Sequence, residues 1–157
     1  MIVNFDNLSA IRKQHSDEKL VLTSGTFDLL HVGHLNYLER VKQYGDAVIV
    51  LLSGDNRVKA RKGPSRPIIS ESERAHMLDN LKLIDYVLID PSTTAPNYTD
   101  PIHAEILKEL QPDFYVTDGP DPRFYELMDK SKFIILERLQ LEPSTTSIIK
   151  QIRELPE

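Results

Sequence analysis

The sequence predicts a doubly wound α/β domain on a five-stranded parallel sheet, and three observations predict it. Short β-rich apolar runs at 20–24, 47–52, 84–89, 113–117 and 132–137 alternate with helical patterns, the layout of parallel strands joined by crossover helices. A chain of 157 residues with 40% hydrophobic side chains suffices for one core, so the expected domain is 1–157. Finally, a polar run with glycine and two histidines, 24–34, follows the first strand directly. A doubly wound sheet binds ligands there, at the carboxyl ends of its strands where strand order reverses.

Each element has its own signal. Residues 4–15 carry Phe5, Leu8 and Ile11, the apolar face of a short leading helix. After the first strand, Leu35, Leu38 and Val41 recur on one face of a helix ending near Gly45, a C-cap. The stretch 56–67 is basic and holds Gly63, Pro64 and Pro67, so it reads as a loop. Ser70-x-x-Glu73 is a capping box opening a helix with Ala75, Leu78 and Leu81 inward. A second loop, 91–101, contains three prolines. Asp100-Pro101 supplies an N-cap and a first-turn proline, followed by Ile102, Ile106, Leu107 and Leu110 as a buried stripe. Ser144 caps the last helix, with Ile148, Ile149, Ile152 and Leu155 inward.

Composition narrows the function. A net charge of −5, from 19 Lys and Arg against 24 Asp and Glu, argues against nucleic acid or an anionic membrane as partner. With no cysteine, disulfides, thiolate metal sites and a cysteine nucleophile are excluded. No apolar stretch approaches the roughly 20 residues that span a bilayer, and the N-terminus lacks a basic region followed by an apolar one. A cytoplasmic protein is expected.

His31 and His34 flank Gly33 at the start of a helix, so both imidazoles lie on one side of the first turn beside unpaired N–H groups. Such a terminus attracts phosphate, and a glycine there admits close approach. Other nucleotide fingerprints are absent: there is no G-x-G-x-x-G and no Gly-Lys-Ser or Gly-Lys-Thr. Two histidines without a third or a cysteine make no metal set. With no G-x-S-x-G elbow either, the nucleophile is expected to arrive with a phosphorylated substrate.

The run Gly25-Thr26-Phe27-Asp28-Leu29-Leu30-His31-Val32-Gly33-His34 resembles the signature of the cytidylyltransferase-like nucleotidyltransferases, with their H-x-G-H motif. Ser53-Gly54-Asp55, Lys-Gly-Pro-Ser-Arg-Pro-Ile at 62–68, Glu73-Arg74, Ile84-Asp85-Tyr86-Val87 and Ser144-Thr145-Thr146 extend the resemblance over nearly all the chain after residue 19. Within that family it is most similar to the heptose-1-phosphate adenylyltransferases, with glycerol-3-phosphate cytidylyltransferases and archaeal FAD synthetases nearby. The resemblance implies a Rossmann-like enzyme that joins a nucleoside monophosphate, AMP from ATP, to a small phosphorylated acceptor such as a sugar 1-phosphate, releasing pyrophosphate. CTP with glycerol 3-phosphate or an alcohol phosphate, FAD synthesis, and a non-catalytic nucleotide-binding regulatory subunit are the alternatives. It also implies Mg²⁺ carried by the triphosphate and a homodimer.

By the same resemblance His31, His34, Lys62 and Arg74 are the catalytic positions. Thr23, Gly25, Thr26, Phe27, Asp28 and Gly33 would meet the nucleotide, with Ser144, Thr145 and Thr146 at the last helix. For Asp28 the preferred role is to fix the turn through backbone hydrogen bonds. Lys59, Arg61, Lys62 and Arg66 crowd 56–67 and look like a mobile lid. Arg74 sits in a first helical turn, where the dipole disfavours a cation, and so calls for a ligand or a salt bridge. Asp55, Lys59, Arg66, Thr117 and Asp118 are the acceptor candidates, with Asp121 beside them. Thr117-Asp118-Gly119-Pro120-Asp121 stands where ADP-heptose-type relatives carry Lys-Gly-Gly-Asp-Tyr, so the lysine is absent.

Overall fold

The computed structural model describes residues 1–90, 92, 101–137 and 143–155. Its elements run β1 (Ile2–Val3), a 3₁₀ turn (Phe5–Asn7), α1 (Leu8–Gln14), β2 (Leu20–Gly25), α2 (Val32–Lys42), β3 (Ala47–Ser53), α3 (Asp55–Lys62) and α4 (Glu71–Asp79). They continue through β4 (Tyr86–Asp90), α5 (Pro101–Leu110), β5 (Phe114–Thr117), α6 (Pro122–Tyr125), a second 3₁₀ turn (Lys130–Lys132), β6 (Phe133–Ile135) and α7 (Thr145–Arg153). Most of the 91–101 loop and the Asp100 cap lie outside the described residues.

All strands are parallel, in the order β1-β4-β3-β2-β5-β6. The sheet therefore has six strands, not five. The addition is β1, whose Ile2 and Val3 pair with Val87 and Leu88, a run too short to show any periodicity. Central β3 is buried at every residue because helices cover both faces. Val21, Val48, Val50 and Leu52 pack towards Leu38 and Val41 of α2 and Ala75 and Leu78 of α4. Leu20, Leu22, Ile49 and Leu51 pack the other way, on Leu8 and Ile11 of α1 and Ile106 and Leu110 of α5.

Three expectations change. First, 56–67 is not a loop throughout: α3 fills most of it. Val58 is the one buried hydrophobe in that helix, so it shows no apolar stripe, and both of its caps are glycines, Gly54 in extended backbone and Gly63 at φ 94°. Second, a short helix, α6, follows β5, its Asp121 side chain accepting from Arg123 N and Pro122 opening the turn. Third, α7 buries its stripe only in part. Ile148 and Ile149 are half-buried, but Ile152 is 58% and Leu155, just past the helix, 69% exposed; the helix is anchored at its start, where Thr145 Oγ1 donates to Asp28 O at 2.7 Å.

Gly63 has φ 94° and ψ 166°, and a Cβ built there meets nothing within 4 Å. Gly63→Ala therefore carries a purely conformational penalty, about 1–3 kcal/mol. A thermal melt should show a drop of at least about 2 °C; an unchanged Tm would mean the α3 terminus relaxes without strain.

Candidate active site

The chain winds from β2 through β3 to β4 on one side and from β5 to β6 on the other, so the strand ends at Gly25 and Thr117 border the switch-point crevice. A cavity of about 760 Å³ opens there. Six basic side chains (Arg40, Arg57, Arg61, Lys62, Arg66 and Arg123) face four acidic ones across its lining, in a chain whose net charge is −5. The crevice is thus the cationic part of an acidic molecule, suited to polyanions.

Its first wall is the turn from β2 to α2. Phe27 and Leu29 adopt left-handed backbone, φ 49° and 47°, strained for residues with a Cβ. Asp28 between them over-determines the turn. Its carboxylate, 1% exposed, accepts from Arg66 Nε at 2.9 Å, from Ile68 N at 3.0 Å and from Ile69 N at 3.1 Å. Burial alone would push the Asp28 pKa up; the Ile68 and Ile69 amides and Arg66 outweigh it, and the pKa is lowered. Asp28 is fully engaged in holding backbone, and Arg66 is engaged with it.

Beyond this turn His31 and His34 stack with centroids 3.8 Å apart. His34 Nδ1 accepts from His31 N at 3.3 Å, which places the neutral imidazole's proton on Nε2 and makes that atom a donor. A Cβ on Gly33 would lie 3.0 Å from Pro143 O and 3.1 Å from the His31 ring. The glycine thus admits the segment leading into α7 as well as the stack. On that facing side, Ser144 Oγ accepts from Ser147 N at 3.1 Å as the α7 cap, Thr145 holds Asp28, and Thr146 lines the cavity.

The cavity gathers Gly25, Thr26, Phe27, Asp28, His31, Gly33, His34, Lys62 and Arg66. Thr117, Asp118, Ser144, Thr145 and Thr146 join them. Four expected residues stand outside. Thr23 is buried, its hydroxyl 2.6 Å from Tyr37 Oη. Lys59 is exposed on α3, roughly 200° around the helix from Arg57. Arg74 is fully buried: it donates to Thr26 O at 2.5 Å, Ser53 O at 3.0 Å and Ile69 O at 2.9 Å, and pairs with Asp55 at 2.7 Å. Of ligand and salt bridge, the salt bridge is what Arg74 has, and Asp55 is its partner.

Of a second wall only Asp121 was foreseen. Arg57 on α3 and Arg123 on α6 line the cavity above a buried cluster of Asp90, Asp121, His103 and Tyr115. Burial would raise the Asp90 pKa, but His103 and Ser92 outweigh it and lower it to about 2. Burial likewise opposes ionisation of Asp121, and Arg123 outweighs that too. Asp121-Pro122 was a readable signal, the same N-cap and proline pair as Asp100-Pro101.

The fold and the H-x-G-H turn at the cavity point to one family. Residues 22–153 match the family described as cytidylyltransferase-like, and the chain belongs to it. It is 37% identical over 150 residues to the bifunctional protein HldE of Aliarcobacter butzleri (strain RM4018), covering 92% of this chain and 29% of that one. The HldE of Campylobacter curvus (strain 525.92) is 36% identical, over 98% of this chain and 31% of the relative. The chain thus spans under a third of these relatives' length. A solved lipopolysaccharide core biosynthesis protein from Thermoplasma volcanium GSS1 shares the fold at TM-score 0.58 and 22% identity, over 78% of this chain and 99% of the other. So does pantoate-beta-alanine ligase from Francisella tularensis, at TM-score 0.59 and 16% identity, over 96% and 72%.

Two outcomes follow from the buried charges. Arg74→Met strands Asp55 and three carbonyls, and should cost about 3–5 kcal/mol in urea unfolding; a stable variant with selectively lost turnover would return Arg74 to the catalytic set. Asp28, Asp90 and Asp121 all have folded pKa values below their unfolded ones. Their stabilisation is complete above about pH 4 and is lost as pH falls towards 2, Asp90 alone contributing about 2 kcal/mol. Unfolding free energies between pH 6 and 2 should fall accordingly, and Asp90→Asn should flatten that slope.

Proposed function

We propose that the chain transfers AMP from ATP to a sugar 1-phosphate and releases pyrophosphate. The observation that carries this reading is the stacked His31/His34 pair facing the start of α7 across a cationic crevice. Under it, the triphosphate lies between the histidines and the Ser144–Thr146 turn, where helix-terminal N–H groups favour anions. An acceptor phosphate oxygen attacks the α-phosphorus, the bond to the bridging oxygen breaks, and pyrophosphate leaves with the electron pair. No general base is needed, because the acceptor phosphate is already largely ionised at neutral pH. The protein holds the two anions in line and neutralises growing charge: His34 Nε2–H donates to the transferring phosphate, and Lys62 supplies full charge beside the leaving group.

The described residues contain no group of three or more His, Asp or Glu able to hold a metal, and Asp28, in the turn before the histidines, is engaged by Arg66 and two amides. This donor set suits Mg²⁺ that arrives on the triphosphate and neutralises its charge. A homodimer and a cytoplasmic location complete the proposal; no helix among the described residues is long and apolar enough to cross a membrane.

A matrix of nucleotides against phosphorylated acceptors, scored by pyrophosphate release, tests the reading. Turnover with ATP and a heptose or hexose 1-phosphate supports it; turnover of FMN with ATP, or of glycerol 3-phosphate with CTP only, overturns it. In the active pair, His34→Ala should lower kcat about 10²-fold or more. A rise in KM with kcat intact would make His34 a ground-state binder.

A further inference from the structure

Arg57 and Arg123 come from different helices and converge on one carboxylate oxygen. Arg57 Nε lies 3.8 Å and Arg123 Nη1 3.3 Å from Asp90 Oδ2, with side chains 5% and 6% exposed. Arg123 is gripped further: Nε and Nη2 reach the two Asp121 oxygens at 2.8 and 2.6 Å, and Nη2 reaches Ser24 Oγ at 3.0 Å. Arg57 Nη1 donates to Ser92 Oγ at 3.0 Å. Both guanidiniums are therefore oriented in advance, and both still line the cavity.

Stability alone does not account for them, since well-packed apolar side chains serve a buried position as well as an ion-pair network does. Two cations are also crowded together in a dry site: burial first, and then the Arg123 charge, lower the Arg57 pKa. An incoming anion relieves that crowding. The pair also stands within reach of the turn that carries the histidines: Arg123 Nη2 bonds Ser24 Oγ at 3.0 Å, one residue before the end of β2, so an anion held there lies beside the strand that leads to His31 and His34.

Building on the transferase reading, we propose that Arg57 and Arg123 form a second anion site on the floor of the crevice, which takes the phosphate of the acceptor. The Asp90 and Asp121 carboxylates act as positioning groups that hold the two forks open, so that little reorganisation accompanies binding.

Calorimetry in two stages tests this. The protein is first saturated with α,β-methylene-ATP, then titrated with inorganic phosphate. The expected result is phosphate binding on top of the analogue, weakened about tenfold or more by Arg57→Gln or Arg123→Lys, the scale of one charge-assisted hydrogen bond. Phosphate that competes with the analogue, or binds equally well in either folded arginine variant, overturns the assignment. If one variant fails to fold, the other and Arg57→Lys decide. The analogue's own binding is read in the first stage, so its failure strikes the functional reading and not this one.

Discussion

The carboxylate of Asp28 is the point on which the site depends. A buried acid is costly unless several donors meet it, and here Arg66 and the amides of Ile68 and Ile69 do so. Its own carbonyl holds Thr145. One residue thereby fixes three pieces far apart in sequence: the left-handed turn before α2, the segment after α3, and the start of α7. The strain at Phe27 and Leu29 persists because these bonds leave the turn no alternative. The histidines stack where they do because that turn is held.

Arginine carries most of the remaining organisation, in two ways that a sequence does not distinguish. Arg74 gathers three backbone carbonyls under the strand ends, and Arg66 grips the Asp28 carboxylate across the mouth of the crevice. Arg57 and Arg123 use comparable ion pairs to present charge towards a cavity. The difference lies in geometry. Arg57 and Arg61 are four apart, on one face of α3, whereas Lys59 points away. Charge that looks like a diffuse basic run along the chain is sorted by helical rotation into a ligand-facing and a solvent-facing set.

That sorting explains what was legible. The five expected strands, the Ser70 capping box and the His31/His34 pair rest on strong local rules, and the structure reproduces them. Strand β1 contributes only two residues, too few for a period. Helix α3 hides because its caps are glycines and its interior lacks an apolar stripe; once it is missed, its arginines cannot be assigned a direction. Arg74 was correctly recognised as needing a partner, but whether that partner is a ligand or Asp55 is a tertiary fact. The stripe on α7 was real as a pattern, and burial followed only in part, because a pattern specifies which face is apolar and not what stands opposite it.

The sheet's outer strands are also its shortest, two residues in β1 and three in β6. An edge strand offers unpaired amides and carbonyls to any other extended chain, and long flat edges invite misassembly. Here each margin supplies too few groups to seed a ladder, while the long ladders sit in the middle, six pairs between β2 and β3 and five between β3 and β4. The arrangement lets a parallel sheet with a highly apolar central strand remain resistant to edge-to-edge growth, with its cohesion concentrated around that strand, which ends in Ser53.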